Sequence, residues 1–88
     1  AAVCAILIKN RRRYMAYLRR RLGSLEEAED ALHDTYVRVL KASSQLADPD
    51  RVEVWMTSAL RNTVIDCYRR KAARVRLLEA YAREVDGY

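Results

Sequence analysis

The sequence predicts an all-α fold, a compact three-helix bundle with a short helical extension at its C-terminal end. Three observations carry this expectation. Glycine and proline are scarce, two and one among 88 residues, so hairpins and short strands lack the residues their turns need. Hydrophobic residues make up 51% of the chain, enough for folding rather than disorder. Those residues recur three, four and seven apart, the spacing that gathers side chains on one face of a helix advancing about 100° per residue. A chain of this length makes one domain, here 1–88, with one modest core.

The first helix runs from near the N-terminus to Leu22, with Val3, Leu7, Tyr14, Leu18 and Leu22 as its inner face. The polar run Lys9 to Arg13 is where it is expected to bend. Gly23 suits the left-handed position that closes a helix. Ser24 and Glu27 have capping-box spacing, a start signal worth about 1 kcal/mol. The second helix continues to about Ala42, burying Leu25, Ala28, Leu32, Tyr36 and Val39. Residues 43–47 form a loop. Asp48 then caps the third helix, and Pro49 takes its first position, where a missing amide hydrogen costs nothing. That helix is expected to reach about Arg74, with 75–88 weakly helical and the start of a linker. The chain has no internal repeat and no low-complexity segment.

The net charge is +5, which favours an anionic partner, but its distribution says more. A basic block from Lys9 to Arg21 and another from Arg61 to Arg76 flank an acidic stretch from Glu26 to Asp50. Either the helices attract one another, at about 0–1 kcal/mol per surface pair, or the chain meets two partners, an anion on its basic surfaces and a protein on its acidic one. Cys4 and Cys67 have no metal-ligand spacing and read as free thiols in a reducing compartment. No apolar run reaches the ~20 residues of a membrane span, so no membrane insertion is expected. The run Ala1 to Ile8 lacks the basic region of a secretory signal and reads as buried first turns of a helix. The single histidine, His33, has no ligating neighbour, and no glycine-rich phosphate loop, zinc-protease helix or nucleophile elbow is present. No catalytic residue, metal or cofactor is expected; the chain does not read as an enzyme.

The third helix carries two faces. Val52, Met56, Ala59, Leu60, Thr63 and Cys67 form an apolar arc, and Trp55, Ser58, Asn62, Asp66 and Arg69 form a second arc beside it. The second arc runs into Arg70, Lys71, Arg74 and Arg76, an arrangement suited to something long and negatively charged. Trp55 borders the core arc, so packing and ligand contact both remain open for it. Asp66 is expected to pair with Arg69 or Arg70 at helical spacing. Asn62 is a poor helix former in mid-helix and is the strongest single candidate for contact. On the outer face of the second helix, Asp30, Asp34, Val37 and Lys41 lie in a row, with Glu27, His33 and Arg38 beside them. Val37 is either an ordinary exposed apolar residue or the centre of a small protein-docking patch.

The run Ala28-Glu29-Asp30-Ala31-Leu32-His33-Asp34-Thr35-Tyr36-Val37-Arg38-Val39, then a loop, Trp55, Arg61-Asn62, Asp66 and Arg69-Arg70, resembles region two of a bacterial RNA polymerase sigma factor. The likeness extends from about Tyr14 to Arg74 and is nearest to the extracytoplasmic-function group. His33 stands where that group more commonly has Gln, and His33-Asp34-Thr35 resembles its iron-starvation branch. The resemblance implies a cytoplasmic transcription initiation factor. It implies docking of the second helix on the clamp helices of the polymerase β′ subunit through Asp30, His33, Asp34, Val37, Arg38 and Lys41. It implies that a flipped base of the non-template strand of the minus-ten promoter element sits in the loop, at Ser43, Ser44, Gln45, Asp48 and Asp50. Trp55, Ser58 and Asn62 would meet the upstream edge of the opening duplex, and Arg61, Arg69, Arg70 and Lys71 would meet its phosphates. An anti-sigma regulator is a further partner of this kind. Primary sigma factors melt DNA with several aromatics on this helix; Trp55 alone, with Met56 beside it, implies a selective factor. The group also carries a second helical domain that reads the minus-thirty-five element, and its absence here makes an excised domain or fragment the expectation. The rival readings are a small helical protein-interaction module and a generic basic DNA-binding domain without a promoter role.

Overall fold

Four helices account for nearly all of residues 2–42 and 50–87, which the computed structural model describes: α1 (Ala2–Lys9), α2 (Arg11–Leu22), α3 (Leu25–Ala42) and α4 (Asp50–Asp86). The fold is all-α, and no strand occurs among the described residues. The expected loop at 43–47 and the helix start at Asp48 and Pro49 lie outside them.

The bend expected between Lys9 and Arg13 is a break at Asn10. Its side-chain amide donates to the Ile6 carbonyl at 2.9 Å, competing with the backbone for the same acceptor. The same amide reaches Glu53 of α4 at 3.4 Å. α1 is less buried than its apolar sequence suggests. Leu7 is in the core and Val3 and Ile6 are half-buried, but Cys4, Ala5 and Ile8 face solvent, because the short α1 lays only one side on the other helices. Gly23 closes α2 at φ 82°, its N–H donating to the Arg19 carbonyl at 3.1 Å; this left-handed backbone strains any residue with a Cβ. Ser24 Oγ accepts the Glu27 N–H at 3.1 Å, the first half of the capping box. The Glu27 carboxylate accepts from Lys71 Nζ at 2.7 Å, so the cap of α3 is also where α4 is tied to it.

The core is built where α2, α3 and α4 meet. Tyr14, Met15, Leu18 and Leu22 come from α2, Ala28, Ala31, Leu32 and Val39 from α3, and Val52, Met56, Leu60 and Val64 from α4. Leu25, expected inside, is 49% exposed because it opens α3 at the margin of the bundle. Two polar side chains are buried where α3 and α4 cross. Thr35 Oγ1 and Thr63 Oγ1 lie 2.9 Å apart, and each is 2.8 Å from the carbonyl one turn earlier, of Ala31 and of Ala59. With one proton apiece, one hydroxyl donates across the crossing to the other, which donates to its own carbonyl. With their hydroxyls satisfied, threonines of this size let the antiparallel helices approach closely.

α4 does not end near Arg74. It continues to Asp86 and draws the molecule out to 59 Å along its long axis. Residues 75–86 are rich in Leu, Ala, Glu and Arg, strong helix formers, and the next helix-breaking residue is Gly87. No described helix is long and apolar enough to cross a membrane.

Tyr36 ties α3 to α1: its hydroxyl donates to the Leu7 carbonyl at 2.6 Å. Burial raises the Tyr36 pKa above its ordinary value, Tyr14 raises it further, and Arg11 opposes both. A raised folded-state pKa means that this contribution is intact below the unfolded value of about 10 and is lost as pH climbs through the folded one. Tyr36→Phe should therefore cost about 0.5–1.5 kcal/mol. Its difference from wild type should be constant below about pH 10 and shrink above it, as read from thermal melts across pH.

Candidate nucleic-acid interface

α4 places its second arc as the spacing predicts. Ser58, Arg61, Asn62, Arg69 and Arg70 are exposed, and Trp55 is half-buried with one side packed on the core. Trp55 therefore packs inward on one side and lines an outer surface on the other. Trp55, Ser58, Ala59 and Asn62 line a shallow hollow of about 220 Å³, and Arg38 from α3 lines it with them.

Arg38 falls on the acidic, protein-docking side by sequence spacing, but the structure brings its guanidinium to α4. Arg38 Nη1 lies 3.9 Å from Asp66 Oδ2, so Asp66 pairs across helices and not with Arg69 or Arg70 along its own. The antiparallel crossing fixed by the Thr35–Thr63 contact makes the reach possible. Both partners are largely exposed, so the pair adds little stability; its effect is to hold a cation beside an indole, a hydroxyl and an amide. A hollow with those groups can stack a planar ring on the indole, hydrogen-bond its edge and neutralise a phosphate.

The rest of the basic arc is graded. Among the described residues neither Arg61 nor Arg69 has an ionic partner, which leaves both available to an anion. Arg70 Nη2 sits 3.4 Å from Cys67 Sγ. Lys71 is paired with Glu27 at 2.7 Å, both side chains about half exposed, so an anion would have to share it with that carboxylate. Tyr68 anchors this stretch by donating to the Arg21 carbonyl at 2.6 Å.

On α3, Asp30, His33, Asp34 and Lys41 are exposed as expected, but Val37 is half-buried and does not stand clear of the surface. Asp30, His33 and Asp34 line a groove of about 490 Å³ whose opposite wall is Arg70, Lys71 and Arg74 of α4. The acidic row thus faces a basic row. Attraction between helices accounts for part of the charge pattern, in Glu27–Lys71, Arg38–Asp66 and Arg13–Glu53. Of the residues expected to hold a flipped base, Asp50 is the exposed first residue of α4, and Ser43, Ser44, Gln45 and Asp48 lie outside the described residues. Among the described residues no cluster of His, Cys, Asp and Glu could hold a metal ion, and both cysteines are free.

The Sigma-70 region 2 family model matches residues 7–75. The chain belongs to the sigma-70 region 2 family. No curated protein and no solved structure matches it. Sigma region 2 is part of a transcription initiation factor, not an enzyme, and takes part in binding core RNA polymerase and in melting promoter DNA. The matched span holds α2, α3 and the packed part of α4 with both charged faces, takes in only the end of α1, and stops close to where α4 leaves the bundle. Among the residues around the hollow, Arg38 is the one that sequence spacing did not place there. A hint was available in Asp66, a lone acid inside the basic arc that needed a cation from somewhere.

Proposed function

We propose that this domain serves an extracytoplasmic-function type of sigma factor and reads single-stranded minus-ten DNA on the outer arc of α4. The observation that carries the reading is the hollow itself: Trp55, Ser58 and Asn62 on one helix, with Arg38 of α3 lining the same hollow and lying 3.9 Å from Asp66. A base of the non-template strand stacks at Trp55 and is hydrogen-bonded by Asn62 and Ser58. Arg61, Arg69 and Arg70 follow the phosphates, and Arg38 adds a cation from the side. A second base is flipped into the segment Ser43, Ser44, Gln45, Asp48 and Asp50. The exposed row Asp30, His33, Asp34 and Lys41, with Val37 at its base, docks on the clamp helices of polymerase β′. An anti-sigma regulator would compete for that row. His33-Asp34-Thr35 keeps its likeness to the iron-starvation branch, but Thr35 is buried, so only His33 and Asp34 can address a partner. The factor acts in the cytoplasm, where polymerase is.

The domain should bind a non-template minus-ten oligonucleotide more tightly than the same sequence as duplex. With three to four phosphates met, log K should fall against log salt with a slope of about −2 to −3, each single-strand phosphate adding about 0.7. Arg61→Ala and Arg69→Ala should each reduce the slope by about that amount. Fluorescence anisotropy across a salt series measures both. Equal affinity for duplex, or a slope near zero, would leave a generic basic binder or a protein-interaction module as the better account.

A further inference from the structure

Past its tie to Glu27, α4 leaves the bundle, and every described residue from Ala72 onward is exposed. The projecting segment is nonetheless amphipathic. Leu78, Tyr81 and Val85 recur three and seven apart, Val75 and Ala82 share their arc, and the four larger side chains are each more than half exposed. A stripe of this kind standing in water marks an interaction surface. Its charges are polarised: Arg74 lies on the stripe at its start, and Glu84 and Asp86 flank its end. Arg76 and Arg83 fall on the opposite arc, and Glu79 lies near the midpoint, where it does not distinguish direction.

We propose that residues 74–86 of α4 are a self-association surface whose partner is a second copy of this chain, paired antiparallel. Antiparallel overlap sets Leu78 opposite Tyr81 and Tyr81 opposite Leu78. It also sets Arg74 opposite Val85, between Glu84 and Asp86, and two-fold symmetry repeats that contact at the other end. Parallel overlap would instead set Arg74 against Arg74 and Glu84 against Glu84, so charge selects the direction. At 1.5 Å per residue the paired segment is about 18 Å long, which places the contact below the ~1,200 Å² of stable interfaces and in the weak, concentration-dependent class. Most of the segment lies beyond the family match at 7–75, and it does not include the Trp55–Asn62 hollow.

Sedimentation equilibrium of the 88-residue chain from micromolar to millimolar concentration tests the proposal. Wild type should show a reversible monomer–dimer equilibrium. Leu78→Glu should weaken it by about tenfold or more, the loss expected of a central contact, with unchanged helicity by circular dichroism. Arg74→Glu alone should weaken self-association, and so should Glu84→Arg combined with Asp86→Arg. An equimolar mixture of those two variants should recover it, because both ends then carry opposite charges. A wild-type chain that stays monomeric at millimolar concentration overturns the proposal, as does a dimer indifferent to Leu78→Glu. Failure of the charge-swapped mixture to recover overturns the antiparallel pairing.

Discussion

Replacing Asp30 and Asp34 together by Lys is expected to abolish capture of core RNA polymerase while leaving the helical spectrum intact. Both carboxylates are exposed and one helical turn apart on α3. Neither makes an ion pair among the described residues, so the fold does not depend on them, and the stability change should stay within about 0.5 kcal/mol. Reversal changes the local charge by four, and like-charge juxtaposition across an interface costs several kcal/mol, enough to turn a working contact into no detectable one. The opposite wall of the groove is basic, so added lysines repel it too, and a melting curve shows whether that repulsion reaches the fold. A pull-down with core polymerase, paired with that curve, decides the matter. Unchanged capture would remove α3 from the polymerase interface.

Leu60 and Asn62 are two residues apart on α4, and their substitution should separate folding from function. Leu60 is 3% exposed in the centre of the core, and Leu60→Ala should cost about 2–5 kcal/mol. That is a large part of the 5–15 kcal/mol that holds a domain together, so activity should fall through unfolding. Asn62 is exposed on the hollow, and Ala is the better helix former by up to about 0.7 kcal/mol. Asn62→Ala should therefore leave the melting temperature unchanged or slightly higher while promoter opening falls. Arg38→Ala should behave like Asn62→Ala, because its pair with Asp66 is solvent-exposed and worth about 0–1 kcal/mol. The readouts are a thermal melt and a promoter-opening assay of each variant with core polymerase.

Helical periodicity was enough to find three helix cores, the Gly23 stop, the Ser24 cap and the division of α4 into a packed and an open arc. These are local features, each set by residues within a turn or two. What periodicity could not supply is what happens between helices. Thr35 and Thr63 read as indifferent helix residues until the crossing of α3 and α4 brings their hydroxyls together. Arg38 belongs to the acidic face by spacing, but the length of its side chain brings it to Asp66 and the outer arc of α4. Lys71 looked like an open cation because its acid, Glu27, lies on another helix. α4 runs past its expected end near Arg74 for another reason: residues 75–86 carry an apolar stripe but pack it on nothing among the described residues, so the helix continues there on propensity and not on burial.

The central claim, that the hollow between Trp55 and Asn62 is where single-stranded DNA is read, can be tested with the chain's one tryptophan. Its indole is half-buried and forms a wall of the hollow, so a stacked base must change its emission. Titrating the domain with the non-template minus-ten oligonucleotide should quench Trp55 saturably, over the same concentrations at which anisotropy reports binding. The quenching should weaken in high salt and in Asn62→Ala. If anisotropy reports binding while Trp55 emission does not change, DNA is held elsewhere on the basic surface, and the hollow is not the reading site.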